Sequence, residues 1–118
     1  MGKRITLPAS NAMVPITRHG VAALLPGFGR LADVELVLTE FVTSAIRSSD
    51  ADLMITVEHS SEVRIEVHDQ RGQYPRVEET HIDPAAPDGL AIVSAVADRF
   101  GARRHRSGDC TAWAVFSQ

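Results

Sequence analysis

From Asp33 to Arg47 apolar residues recur at helical spacing, and this segment constrains the fold more than any other. At about 100° per residue, Val34, Val37, Leu38, Phe41, Val42, Ala45 and Ile46 fill one broad arc. Glu40, Thr43, Ser44 and Arg47 fill the opposite arc together with Asp33, which is the expected N-cap. A helix with so wide an apolar face needs another layer to cover it. The next segments supply one. Leu53 to Glu58 and Val63 to His68 read as strands joined by the polar turn His59-Ser60-Ser61-Glu62. In the second, Val63, Ile65 and Val67 share one face while Arg64, Glu66 and His68 share the other.

The flanking segments complete the layers. Arg4 to Leu7 reads as a short edge strand stopped by Pro8. A first helix runs from a cap at Ser10 or Asn11 to about Leu25, and Pro26-Gly27-Phe28-Gly29 breaks it. Gln70 to Asp88 carries three prolines and many charges and reads as a long loop, of a length that in a small domain usually serves function. A third helix is expected from Gly89 to about Phe100, with Arg99 and Gly101 as stop signals. Arg103 to Arg106 and Thr111 to Phe116 then form a hairpin around Ser107-Gly108-Asp109. The predicted class is α+β, with three helices on one face of a mixed, mostly antiparallel sheet.

Residues 1–118 are expected to form one domain, since 44% hydrophobic and 23% charged side chains suit a single globular core. No apolar run approaches the ~18 residues of a membrane span. Cys110 is the sole cysteine, so no intrachain disulfide can form. Met1 to Leu7 has no apolar run after its basic residues, so no secretory leader is expected and the cytoplasm is the expected location. A formal charge of −3 gives no global pull towards nucleic acid or anionic lipid. Aromatic interleaving for base stacking is missing as well, so a nucleic-acid partner is not expected.

Four features could carry chemistry. Glu40, Ser44 and Arg47 line one helical stripe, which on pattern alone reads first as a solvated face with a Glu–Arg pair. Asp69 has the parity of Val63, Ile65 and Val67, so alternation turns its carboxylate towards the core face. Such a group costs free energy unless it is paired or hydrogen-bonded, as a turn residue at a strand end or as an acceptor for a ligand. Asp88-Gly89-Leu90 opens a helix, either as a plain start or as a set of N–H groups offered to an anion. Arg103-Arg104-His105-Arg106 is a solvated edge strand or a dock for an acidic partner. The five histidines and Cys110 show no metal-ligand spacing.

Taken in order, the elements resemble the ATPase domain shared by gyrase, Hsp90, histidine kinases and MutL, with the Bergerat-type fold. The nearest likeness is the small stand-alone branch of anti-sigma factor serine kinases, from about Arg4 to Phe116. Its most specific part is Glu40-Phe41-Val42-Thr43-Ser44-Ala45-Ile46-Arg47, similar to that branch's E-L-V-T-N-A-V-R helix. Gly89-Leu90-Ala91-Ile92-Val93 with Ala97-Asp98-Arg99-Phe100-Gly101 resembles its G-L-A-L-V and A-D-R-W-G. Val67-His68-Asp69 resembles the strand ending in the adenine-binding Asp, and Thr111-Ala112-Trp113 the closing T-V-W strand.

The resemblance implies a nucleotide site. Asp69 would accept the adenine amino group, Glu40 would be the general base, and the Gly89-Leu90 helix start would face the phosphates. Gly72 and Thr111 would complete the nucleotide-binding set, and the 70–88 loop would be the lid. Ser44 stands where the family's Asn holds Mg²⁺, and the shorter Ser would leave the ion about an ångström out of place. Ser48 replaces a frequent His, and Pro87, without an N–H, replaces the first lid glycine. Arg71 stands where a glycine is expected, and Cys110 where the family has Lys.

Fold residues and the adenine Asp remain while the phosphate and metal positions have changed. The expectation is therefore a regulatory module that docks a sigma factor or anti-sigma antagonist, with ATP and magnesium weakly bound or lost. The alternative is an active ATP-dependent protein serine kinase with magnesium at Ser44. Homodimerisation is compatible with the free sheet edges and first helix.

Overall fold

A computed structural model of the chain describes residues 2–8, 10–48, 52–69, 89–104 and 110–117. The elements are β1 (Gly2–Leu7), α1 (Met13–Leu24), α2 (Leu31–Ser48), β2 (Leu53–His59), β3 (Glu62–Asp69), α3 (Gly89–Val96), β4 (Arg99–Arg104) and β5 (Cys110–Ser117). The strands form one sheet in the order β1-β2-β3-β5-β4, and the helices pack against it to give a two-layer α+β sandwich. The 70–88 loop, with Gly72, Arg71 and Pro87, lies outside the described residues, as does the Ser107-Gly108-Asp109 turn.

The expected sheet, mixed but mostly antiparallel, is observed, and every neighbouring pair among the described strands is antiparallel. The reason is topological. β3 and β4, joined through α3, run in the same direction, but β5 inserts between them and pairs antiparallel with both. No two parallel strands are left as neighbours.

Alternation then builds the core. Leu53, Ile55 and Val57 of β2, Val63, Ile65 and Val67 of β3, and Ala112, Ala114 and Phe116 of β5 face the helices. Against them lie Val34, Val37, Leu38, Phe41, Val42 and Ala45 of α2, with Val21 from α1 and Val93 from α3. The apolar arc predicted for α2 is buried except for Ile46, which packs at its rim. Each large member contributes roughly 1.5–3 kcal/mol of transfer free energy, which explains why this arc fixes the sandwich.

Three helix boundaries differ most from expectation. α2 starts at Leu31, and its first turn closes with Val34 N–H donating to the Arg30 carbonyl at 3.1 Å. Asp33 therefore sits in the first turn, where a carboxylate favours the helix dipole, and is not the N-cap. α1 begins at Met13 after Ala12, and Ser10 Oγ accepts from the Ala12 N–H at 3.3 Å. Gly27 takes φ 78° in the turn that follows α1, a left-handed conformation that favours glycine.

The third difference is the largest. α3 stops at Val96, four residues before the expected Phe100. Ala97 N–H still donates to Val93 O at 2.9 Å, but Asp98 N–H turns to Val115 O at 3.0 Å, so the chain leaves the helix and joins β5. Phe100 packs against the core from β4, opposite Ala114. Gly101 is a strand residue under the Trp113 indole, where a Cβ would come within 2.9 Å of the ring. The hairpin strands accordingly run Arg99–Arg104 and Cys110–Ser117.

Candidate functional site

Two helical residues and one strand end define the candidate site. Glu40 and Ser44 lie one turn apart on α2, both half-buried, on the arc opposite the core residues. The Arg47 side chain, third member of that stripe, lies outside the described residues. Asp69 ends β3, between Leu53 of β2 and Cys110 of β5. Its residue exposure is 0%, and Oδ2 is buried with it. The strand's burial alternates without a break from Val63 to Asp69, so the carboxylate faces the helix layer as its parity predicts.

Gly89 is the first residue of α3, which packs mainly on α2. Leu90 follows it in the helix, its side chain outside the described residues. Thr111 stands elsewhere. It pairs with His68, and its Oγ1 lies 3.0 Å from His68 Nδ1. Paired residues of an antiparallel ladder point to the same face, so Thr111 and His68 share the sheet face turned away from the helices. The structure thus gives Glu40, Ser44, Asp69 and Gly89 to the helix layer and its border, and Thr111 to the opposite face.

Asp69 and Ser44 offer a ligand different chemistry. A buried carboxylate at the end of a central strand fits an acceptor for a donor group of a planar base. Ser44 offers magnesium one neutral hydroxyl. Among the described residues no group of three or more His, Cys, Asp or Glu could hold a metal ion. An ion at Ser44 would need its other oxygens from phosphates and water.

Sequence reasoning missed the strongest polar assembly, which is centred on Arg30. Its Nη1 donates to Asp98 Oδ2 at 2.5 Å and to Ser117 O at 3.1 Å. Nη2 donates to Val96 O, at the end of α3, at 2.6 Å, and Nε to Asp33 Oδ2 at 3.2 Å. The guanidinium also lies 5.6 Å from the Phe116 ring centroid. Asp98 Oδ2 accepts from the Ser117 N–H too, at 2.6 Å. That N–H, then the guanidinium, holds the Asp98 carboxyl below its ordinary pKa, while Asp98 raises Arg30. One arginine thus ties the start of α2 to the ends of α3 and β5.

The face of the sheet turned away from the helices is laid with charge. Arg64 stacks on Trp113 with Cζ 4.6 Å from the ring centroid, and its Nε donates to Glu66 at 2.7 Å. Arg99, expected as a helix stop, donates from β4 to Glu62 of β3 at 2.9 Å. Between these side chains Val115 is buried, although it faces away from the helices.

No family model matches the chain, and no curated protein matches it. Among solved structures it is similar to the crystal structure of the RsbU and RsbW domains of Rv1364c from Mycobacterium tuberculosis, with a TM-score of 0.76 and 23% identity. The fold is shared. The match covers 99% of this chain and 32% of that one, so the chain spans about a third of its neighbour's length. The two-layer architecture expected from the resemblance is the one observed. Among the described residues no helix is long and apolar enough to cross a membrane.

Proposed function

We propose that the chain is a regulatory binding module with an anti-sigma-factor-like ATPase fold. It acts by docking a protein partner, such as a sigma factor or an anti-sigma antagonist, and not by turnover. The observation that carries this reading is the divergence between the two halves of the candidate site. Asp69 keeps a buried place at the end of β3, while the magnesium position is the neutral Ser44. The shared fold with a structure that contains an RsbW domain supports the class of partner.

Each charge-assisted phosphate contact that is lost removes roughly 1.5–3 kcal/mol of binding. Two such losses move a micromolar dissociation constant towards millimolar, since ~1.4 kcal/mol is tenfold. The helix–sheet scaffold does not depend on those contacts. Partner docking therefore survives where nucleotide affinity does not.

The test is partner capture with and without ATP, on the parent and on Ser44→Asn, alongside transfer of radiolabelled phosphate to a candidate antagonist. The proposal expects equal partner affinity in all four capture conditions and no transfer. Phosphate transfer that disappears in Glu40→Ala would establish the serine-kinase alternative instead.

A further inference from the structure

The chain carries 15 acids against 12 bases, yet every charged residue of its two edge strands is basic. β1 holds Lys3 and Arg4, β4 holds Arg99, Arg103 and Arg104, and neither strand contains an acid. The acids of the sheet sit on its interior strands, at Glu58, Glu62, Glu66 and Asp69. Like charges set opposite each other oppose pairing between strands. A second copy of this chain is thus a poor match for either edge, and an acidic segment is a good one.

β4 is the more specific of the two edges. Among the described residues it pairs along one side only, with β5. Its six residues span about 20 Å at strand rise, enough to template a short added strand. On the face away from the helices it presents Arg99, then Gly101, then Arg103. The Arg99 side chain is 61% exposed despite its bond to Glu62, and Arg103 is exposed. Gly101 has no side chain there, and the Trp113 indole lies directly over it. A strand laid beside β4 would meet a cation, an aromatic surface and a second cation at alternate positions.

We infer that the β4 edge is a docking site for an extended acidic segment of a partner protein, with two carboxylates flanking one aromatic or apolar residue at alternate positions. Backbone ladder bonds to β4 supply the affinity. The carboxylates engage Arg99 and Arg103, and the central side chain rests against Trp113 over Gly101. The pattern is symmetric, so it reads the same in either strand direction. This surface lies outside the Glu40, Ser44 and Asp69 site and serves whether or not nucleotide binds.

The test uses the whole chain and the blocked peptide Thr-Glu-Thr-Tyr-Thr-Glu-Thr, followed by backbone amide shifts. Controls are the peptide with Lys for Glu and two forms N-methylated at alternate residues, one for each edge of the peptide. The acidic peptide should shift amides of residues 99–104 and of β5. One N-methylated form and the Lys peptide should each bind about tenfold weaker or worse. Arg103→Glu, at an exposed position that leaves the fold intact by circular dichroism, should weaken binding to a similar degree, and Arg4→Glu on β1 should not. No shift at roughly millimolar peptide overturns the inference. So does equal binding of both N-methylated forms, which would mean charge attraction without a strand, or a loss with Arg4→Glu that Arg103→Glu does not give.

Discussion

Asp98 and Asp69 occupy opposite situations in one sandwich. Asp98 is 42% exposed at its side chain and is bound by the Arg30 guanidinium and the Ser117 N–H. It joins three elements. Asp69 is fully buried at a strand end, on the face that otherwise carries Val63, Ile65 and Val67. Strand alternation sets this carboxylate where the preceding positions of that face carry branched aliphatic residues. The lesson is that two aspartates of one sandwich sit in separate settings: Asp98 holds the scaffold at its surface, while Asp69 takes a core-facing position that the proposed function gives to a ligand.

The largest effect belongs to the scaffold corner. Arg30→Ala removes bonds to Asp98, Val96, Ser117 and Asp33 together with the Phe116 stack. It should cost about 2 kcal/mol, read by urea unfolding, because the guanidinium is partly solvated and only its better-buried bonds count fully. A loss as small as that of an ordinary surface arginine would break the distinction between the two corners.

Asp98→Asn should cost less than Arg30→Ala, and its signature is the pH profile. The folded carboxyl titrates below the ordinary 3.8, so its contribution is complete above that value and disappears as pH falls through the folded pKa. The stability gap between parent and variant should be constant near neutrality and close below about pH 4. A gap that persists into strong acid would mean that the ionised carboxylate is not what holds the corner.

Arg99→Ala should change stability by about 0.5 kcal/mol or less, because both partners of the Glu62 pair are exposed. The smallest loss is expected at Asp69→Asn. Asn keeps the volume of the side chain and one acceptor oxygen, so the midpoint should stay near the parent's while any adenosine binding falls. A large destabilisation would make Asp69 a second scaffold residue and erase the contrast.

How much of this was legible in the sequence follows the physics of each element. The α2 arc and the β3 alternation depend on periodicity within one segment, and both appear in the structure as read. The end of α3 did not, because Ile92, Val93, Val96 and Phe100 continue helical spacing across a boundary set by long-range bonds from Asp98 to Val115 and Ser117. Gly101 looked like a helix stop for the same reason, and only the pairing with Trp113 shows what its missing side chain admits. The Arg30 assembly was not readable, since its partners other than Asp33 lie 66 or more residues away.

Of the candidate site, the core-facing carboxylate of Asp69 was readable from strand parity. The face of Thr111 was not. That required the register that sets it opposite His68, which no local spacing supplies. Asp33 shows a subtler failure. A carboxylate before an apolar arc has the look of an N-cap, yet the turn closes on the Arg30 carbonyl and the side chain goes to Arg30 instead.

The proposed module keeps Asp69 as an adenine acceptor and has lost its magnesium site. Calorimetric titration of the purified chain with ATP, with and without Mg²⁺, tests it most directly. Heat absent below roughly millimolar ATP, or weak and unchanged by Mg²⁺, is the predicted result. Micromolar binding that depends on Mg²⁺ would show that Ser44 still completes a working site, and would contradict the account.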